Sequence, residues 1–138
     1  MKLLPLLKAT LLLSICSIAY SPAILASASD EQIAAAFQNQ QSNLQIKGEG
    51  LVHKILPDDT NGSQHQRFIL KLSNGQTLLI AHNIDLAARI SDLNVGDNVE
   101  FYGEYEWNEK GGVIHWTHHD PSGRHTDGWL KHNGQTYQ

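Results

Sequence analysis

The chain has 138 residues, with ten lysines and arginines, fourteen aspartates and glutamates, and a formal net charge of −4. This length is typical of one domain and excludes a two-domain enzyme or a large cofactor-binding fold. The acidic charge argues against nucleic acid or an anionic membrane as a partner, because binding phosphate groups needs a basic surface.

Residues 1–28 have the pattern of a secretory signal peptide. Lys2 and Lys8 provide positive charge, leucines provide an apolar stretch, and Ala26-Ser27-Ala28 provides the small residues that a signal peptidase reads. Cleavage after Ala28 would remove two lysines and no acidic residue, and would leave a net charge of −6. We therefore expect an exported protein, periplasmic or secreted, without a membrane anchor after cleavage. A buried N-terminal helix is the alternative.

The only cysteine, Cys16, lies within this predicted signal. Residues 29–138 therefore contain no thiol, and this excludes a disulfide, a thiolate nucleophile and a cysteine metal ligand. Any metal site in this part of the chain must use nitrogen and oxygen ligands.

The sequence Ser29-Asp30-Glu31-Gln32 has the form of a capping box, in which Ser29 caps a helix and Gln32 reaches back to it. Apolar residues then recur at helical spacing, at Ile33, Ala36, Phe37 and Leu44. We predict an N-terminal helix within residues 29–44, with one narrow apolar face docked on the rest of the domain.

From Gln45 onward the apolar residues recur every second position, which is typical of strands. Five strands are predicted, at 45–56, 65–72, 77–84, 98–107 and 113–118, with a polar loop at 57–62 and a short helix at 85–90. Gly48 and Gly50 indicate a bend in the first strand, and Asn74-Gly75 indicates a hairpin. This order predicts a mostly β domain over 45–138, a small five-stranded OB-like barrel. An open meander or half of a sandwich is the alternative. Residues 119–138 are predicted to be a looped tail pinned by Trp129.

All eight histidines lie beyond residue 28, and four of them fall within eleven residues near the C-terminus. Imidazole is a good ligand for zinc or copper, and nearby carboxylates act as ligands or orient the imidazoles. The candidate metal ligands are His115, His118, His119, Asp120 and His125. Their spacing matches no established metal motif, so a purely structural role for these histidines in stabilising turns is the alternative.

A second hypothesis places a small anionic or glycan ligand among histidines and arginines. Arg124 follows a glycine turn and could hold an anion, while histidines could serve as general acid and base. The candidate ligand-binding residues are His65, Arg67, His82, Trp116 and Arg124. The acidic row Glu100, Glu104 and Glu106 is interpreted as a solvated strand face.

Several polar runs give the chain its family resemblance, namely Gly48–Val52, His65–Phe68, Ala81–Leu86, Gly103–Asn108 and His115–Pro121. In these runs the chain resembles a family of small exported bacterial proteins known as domain of unknown function 3465. The resemblance implies export and a polar surface shared by the family, but no activity and no catalytic residues.

We interpret the chain as an exported OB-like binding module with a histidine-rich polar site and an unidentified ligand. The alternatives are a small hydrolase for phosphodiesters or glycans, with or without a metal, and an interaction protein whose tail docks on a partner. The sequence leaves open whether the protein is an enzyme.

Overall fold

The computed structural model describes residues 2–3 and 27–138. Most of the predicted export signal lies outside these residues. The described part contains one helix and seven strands: α1 Ala28–Gln38, β1 Leu44–Asp59, β2 His65–Lys71, β3 Thr77–Asn83, β4 Asn98–Glu106, β5 Val113–His115, β6 Trp129–His132 and β7 Gln135–Tyr137. Within this part, no helix has the length and apolar character needed to cross a membrane.

Five of the strands form a ring in the order β1-β2-β3-β5-β4, and β1 closes it by pairing with β4. β3 and β5 run parallel, and the other pairs in the ring are antiparallel. β1 pairs with β4 up to Leu51 and with β2 from Leu51 onward. A side chain at Gly50, beside this switch, would lie 2.9 Å from the carbonyl oxygen of Lys71. The prediction of a mostly β chain is confirmed, and the five predicted strands correspond to the five strands of this ring.

The interior of the ring is filled by alternate residues of each strand. Five apolar residues that alternate along β2 and β4 are fully buried, namely Phe68, Leu70, Val99, Phe101 and Tyr105. Burying a large apolar side chain stabilises the fold by about 1.5–3 kcal/mol, so this alternation fixes which residues of each strand remain on the outside.

The helix differs from its prediction at both ends. The N-cap is Ser27, whose side chain accepts a hydrogen bond from the backbone N–H of Asp30 at 3.2 Å; Ser29 lies inside the helix. The helix ends at Gln38 and does not extend to 44, because Gln40 and Asn43 adopt left-handed backbone angles, with φ of 51° and 61°.

A buried carboxylate attaches this helix to the sheet. Asp30 is 2 % exposed and accepts hydrogen bonds from both the backbone N–H and the hydroxyl of Ser73, in the turn between β2 and β3. On the same helix, Ile33 and Ala36 pack into the core of the ring. The helix therefore covers part of that core.

The short helix predicted at 85–90 is wrong, since the segment forms turns and bends. The buried side chain of Gln66 explains the difference. Its amide nitrogen donates to the carbonyl of Ile90 at 2.8 Å, and its oxygen accepts from the N–H of Ile90 at 2.9 Å. Gln66 thus satisfies backbone groups that a helix would otherwise have to pair.

Strand ends and the tail also differ from the prediction. β1 continues to Asp59 through the predicted loop, and β5 stops at His115 because Trp116 has a left-handed φ of 55°. The tail is not only looped, since β6 and β7 form a hairpin that pairs with β4. The buried Leu130 attaches the tail to the core. Trp129 lies on the outer side of the strand, where its ring centroid is 6.1 Å from that of Tyr102.

We expect Gly128→Ala to lower the free energy of unfolding by about 3 kcal/mol, because a Cβ there has no space. It would lie 1.9 Å from the carbonyl oxygen of Trp116 and 2.5 Å from that of Tyr102. The matched control is Gly123→Ala in the same loop, which has open space but a φ of 66°, and which should cost about 1 kcal/mol. Urea unfolding measures both variants, and equal losses would contradict this account.

Candidate functional site

The outer faces of β4 and β5 bring one histidine and two carboxylates together. Tyr105 and Ile114 are fully buried, so strand alternation directs Glu104, Glu106 and His115 outward. β4 and β5 are antiparallel, with His115 directly opposite Glu104. The three side chains therefore share one patch, which we call the His-Glu cluster.

The His-Glu cluster has the spacing of a metal site. His115 Nε2 lies 3.2 Å from Glu104 Oε2 and 3.3 Å from Glu106 Oε1, and one ligand atom of each residue lies within 4.8 Å of the others. Zinc bonds of ~2.0–2.1 Å place two ligand atoms of a tetrahedral ion about 3.3 Å apart. The buried Nε2 atom of His115 makes no hydrogen bond. The two carboxylate oxygens are thus close to this nitrogen, but neither lies in the direction that an N–H group on Nε2 would point.

His125 lies beside the cluster in a fixed orientation. Its Nε2 atom is 3.5 Å from Glu104 Oε2, and its ring stacks on Trp116 with centroids 3.9 Å apart. Its Nδ1 atom is 2.8 Å from the carbonyl oxygen of Thr126. Because a carbonyl only accepts, Nδ1 carries a hydrogen, and Nε2 of the neutral ring has a free lone pair. His125 is outside the set of atoms within mutual reach.

Asp120 organises the loop that carries His125. Its carboxylate accepts from the backbone N–H groups of Ser122, Arg124 and His125 at 2.9, 2.8 and 2.7 Å. These hydrogen bonds, that of Ser122 first, hold the pKa of Asp120 well below its usual range. The structure therefore places Asp120 as the centre of a turn, with its oxygens engaged by the loop itself.

His119 lies on the exposed side of the same loop. It pairs through Nδ1 with Asp127 Oδ2 at 3.0 Å, and Asp127 also accepts from the backbone N–H of Asp120 at 2.8 Å. The bond from Asp120 and then the contact with His119 lower the pKa of Asp127. The structure does not bring His119 to the His-Glu cluster.

A second group of predicted residues surrounds a depression of about 200 Å³ next to the cluster. His65 and His118 have Nδ1 atoms 3.0 and 2.7 Å from the carbonyl oxygens of Ser63 and His119. The depression is lined by His65, Ala81, Asn83, Leu86, His115, Trp116 and His118. Because His115 belongs to both, the depression and the cluster adjoin.

His82 is inside the fold. It is fully buried, with Nε2 3.0 Å from the carbonyl oxygen of Ala88 and Nδ1 2.7 Å from the hydroxyl of Thr117. The ring therefore donates from Nε2 to Ala88 and accepts from Thr117 at Nδ1. Burial lowers the pKa of His82 to about 4. This arrangement joins β3 to the segment after β5 and suits a structural residue.

The two candidate arginines lie apart from this depression. Arg67 donates from Nε to the carbonyl of Pro57 at 3.1 Å, and Arg124 is exposed. The residues that line the depression include neither of them. The anion clamp proposed from the sequence is therefore not assembled with the three histidines.

Sequence reasoning missed two members of the cluster and one buried histidine. The sequence alone predicts a solvated face for Glu104 and Glu106, although the glycine turn before β5 could have indicated that β4 pairs with β5 and that Glu104 lies opposite His115. His132 is also buried and contacts Asp97 Oδ2 at 2.7 Å. This contact is the main cause of the lowered pKa of Asp97. No pattern around His132 in the sequence indicates this pair.

The fold and the cluster define a small, mostly β protein with a ring of five strands and a histidine-carboxylate patch on its outer face. Residues 12–138 match the model of the DUF3465 family, whose description is "protein of unknown function". The chain belongs to this family, since the match covers nearly its whole length. No curated protein matches the sequence.

The stability of the fold should fall between pH 6.5 and pH 4 because of His82. The pKa of His82 is about 4 in the folded state, against its ordinary value of 6.5, so the unfolded chain takes up the proton first as the pH falls. The free energy of unfolding should therefore decrease by about 3 kcal/mol as the pH falls from 6.5 to 4. Urea unfolding across this range measures the loss. The variant His82→Gln should be less stable at pH 7 and should show a flatter profile; an unchanged slope would contradict this role.

Proposed function

We propose that this protein is an exported OB-like binding module that binds one divalent transition metal ion at Glu104, Glu106 and His115. The observation that carries the proposal is the unbonded Nε2 atom of His115, 3.2 and 3.3 Å from two carboxylate oxygens. A cation between the three atoms would engage the nitrogen lone pair and both oxygens at once.

The OB-like assignment is supported by the strand order. A ring in the order β1-β2-β3-β5-β4, closed by β1 and β4 with β3 and β5 parallel, is the arrangement expected of this small fold. Closure also leaves the ring without an open edge strand. OB folds bind ligands over the face of their second and third strands and at adjoining loops, and β5, which carries His115 of the His-Glu cluster, pairs with β3.

The ligand set favours zinc. One imidazole and two carboxylates form a nitrogen and oxygen site that suits Zn²⁺ and also accepts Cu²⁺. Cu⁺ prefers thiolate or thioether sulfur, and the segment 29–138 has no cysteine. The negative charge of the two carboxylates offsets the charge of a divalent ion.

The metal-free alternative is a protonated His115 held between the two carboxylates. A ring N–H in that arrangement would point at one oxygen as a hydrogen bond, whereas Nε2 has no partner with hydrogen-bond geometry. A small metal-dependent hydrolase is a second candidate, because His65, His115 and His118 line one depression.

Calorimetric titration with zinc tests the site, using protein produced without a histidine tag. We expect one ion per chain. His115→Ala should weaken zinc binding by at least about tenfold, or ~1.4 kcal/mol, because it removes the nitrogen ligand. The matched control is His119→Ala, which removes an exposed histidine paired with Asp127 and should leave the affinity unchanged.

Glu104→Gln with Glu106→Gln provides a second variant that preserves shape and removes the charge of both carboxylates. Zinc affinity should fall at least as far as in His115→Ala. Equal weakening by His115→Ala and His119→Ala would show diffuse binding by the histidine-rich tail and would overturn the proposed site.

Export is proposed from the signal pattern of residues 1–28, with cleavage after Ala28. Such cleavage would remove Ser27, the N-cap of α1, and would leave Asp30 and Glu31 in the first turn near the new amino terminus, where carboxylates are favourable. Mass spectrometry of the protein recovered outside the cytoplasm should find a chain that starts at Ser29. Recovery of the full-length chain alone, from the cytoplasm alone, would contradict export.

A further inference from the structure

We propose that the depression beside the His-Glu cluster binds a small oxygen-donor ligand that completes the coordination of the metal. This inference rests on the proposed metal site and extends it by assigning a place and a chemical class to the ligand. The ligand is a small molecule that offers a coordinating oxygen together with an O–H or N–H donor, as hydroxy acids and hydroxamates do.

The depression lies on the outer face of the sheet, one strand away from the carboxylates. Ala81 pairs with Arg67 of β2 on one side, and β3 lies parallel to β5 on the other, with Ile80 opposite Ile114. Ala81 follows Ile80 and His115 follows Ile114, so these two residues lie side by side on the outer face. Ala81 has the smallest side chain among the residues that line the depression.

The metal has a coordination position for this ligand. The His-Glu cluster supplies three protein ligand atoms within mutual reach, and a site with three protein ligands keeps the fourth position for water or a substrate. His125 is held outside this set by its stacking on Trp116 and its hydrogen bond to Thr126. His115 lines the depression as well as the cluster, so a ligand in the depression is separated from the metal site by no more than this one side chain.

The histidines of the depression determine what kind of ligand fits. His65 and His118 each direct Nδ1 at a backbone carbonyl, so the hydrogen of the neutral ring is on Nδ1 and Nε2 is an acceptor. A ligand that carries an O–H or N–H group can donate to these Nε2 atoms. A volume of about 200 Å³ is below the range of drug-sized pockets, roughly 300–1,000 Å³, and excludes an oligosaccharide.

The test uses Co²⁺ in place of zinc, because its visible absorption reports the number and kind of ligands. Co²⁺ is added to the metal-free full chain, and acetohydroxamate is then titrated as the probe ligand. We expect the Co²⁺ spectrum of the unsubstituted protein to change on saturation with acetohydroxamate. Ala81→Leu fills the floor of the depression and should bind Co²⁺ with unchanged affinity, while requiring at least about tenfold more acetohydroxamate for the same change.

Two further variants keep the result interpretable. Leu86→Trp covers the depression from its exposed side, since Leu86 is 45 % exposed, and it should act like Ala81→Leu if that variant fails to fold. Ala35→Leu makes the same change as Ala81→Leu on the exposed surface of α1 and should leave both affinities unchanged.

Three results would overturn the proposal, and they differ in what they leave standing. If the Co²⁺ spectrum of the unsubstituted protein does not respond to acetohydroxamate, the metal has no coordination position open to the ligand. If Ala81→Leu and Leu86→Trp respond at the same acetohydroxamate concentration as the unsubstituted protein, the ligand reaches the metal from another side. Both leave the proposed metal site intact. Failure of the unsubstituted protein to bind Co²⁺ overturns the metal site and the ligand site together.

Discussion

The pairing of β1 with β4 is the constraint on which the rest of the structure depends. It runs over eight residue pairs, from Leu44 opposite Tyr105 to Leu51 opposite Asn98, and it closes the ring. Closure forces one face of β4 into the core, and the full burial of Val99, Phe101 and Tyr105 fixes its register. The two glutamates of the His-Glu cluster are on the outside for this reason: a shift of one residue would bury both carboxylates.

Most of the fold could be predicted because the sequence signals that specify its strands and turns lie close together along the chain. Alternating apolar residues, the Asn74-Gly75 turn and the glycines of β1 each act within a few residues, and together they indicated five strands in the correct order. The errors came from long-range contacts. The segment 85–90 has helical spacing, but Gln66, 24 residues away from Ile90, pairs with the backbone N–H and carbonyl of Ile90 at its end. The tail has no clear alternating pattern in the sequence, yet part of it forms β6 because it pairs with β4.

The site was less predictable, since its members come from different strands and a loop. His115 and His125 stood out by residue type, and the structure brings both near Glu104. The carboxylates did not stand out, because an outward glutamate on a strand is ordinary, and only the register of β4 with β5 gives it a histidine neighbour. His82 shows the opposite case, since this histidine in a polar run is fully buried, and the sequence does not indicate that Thr117 and the carbonyl of Ala88 are its partners.

The close packing of the tail onto β4 explains why His125 lies beside the cluster. A side chain at Gly103 would lie 2.5 Å from the carbonyl oxygen of His115, so the chain leaving β5 passes directly over β4. The left-handed backbone of Trp116 turns it there, and Gly128 donates its N–H to the carbonyl of His118 at 2.9 Å on the return. The loop between these points is therefore closed at its base, and Asp120 fills its interior. A loop held in this way presents His125 at a fixed position beside Glu104, so the surroundings of the His-Glu cluster are set by the backbone as well as by the side chains.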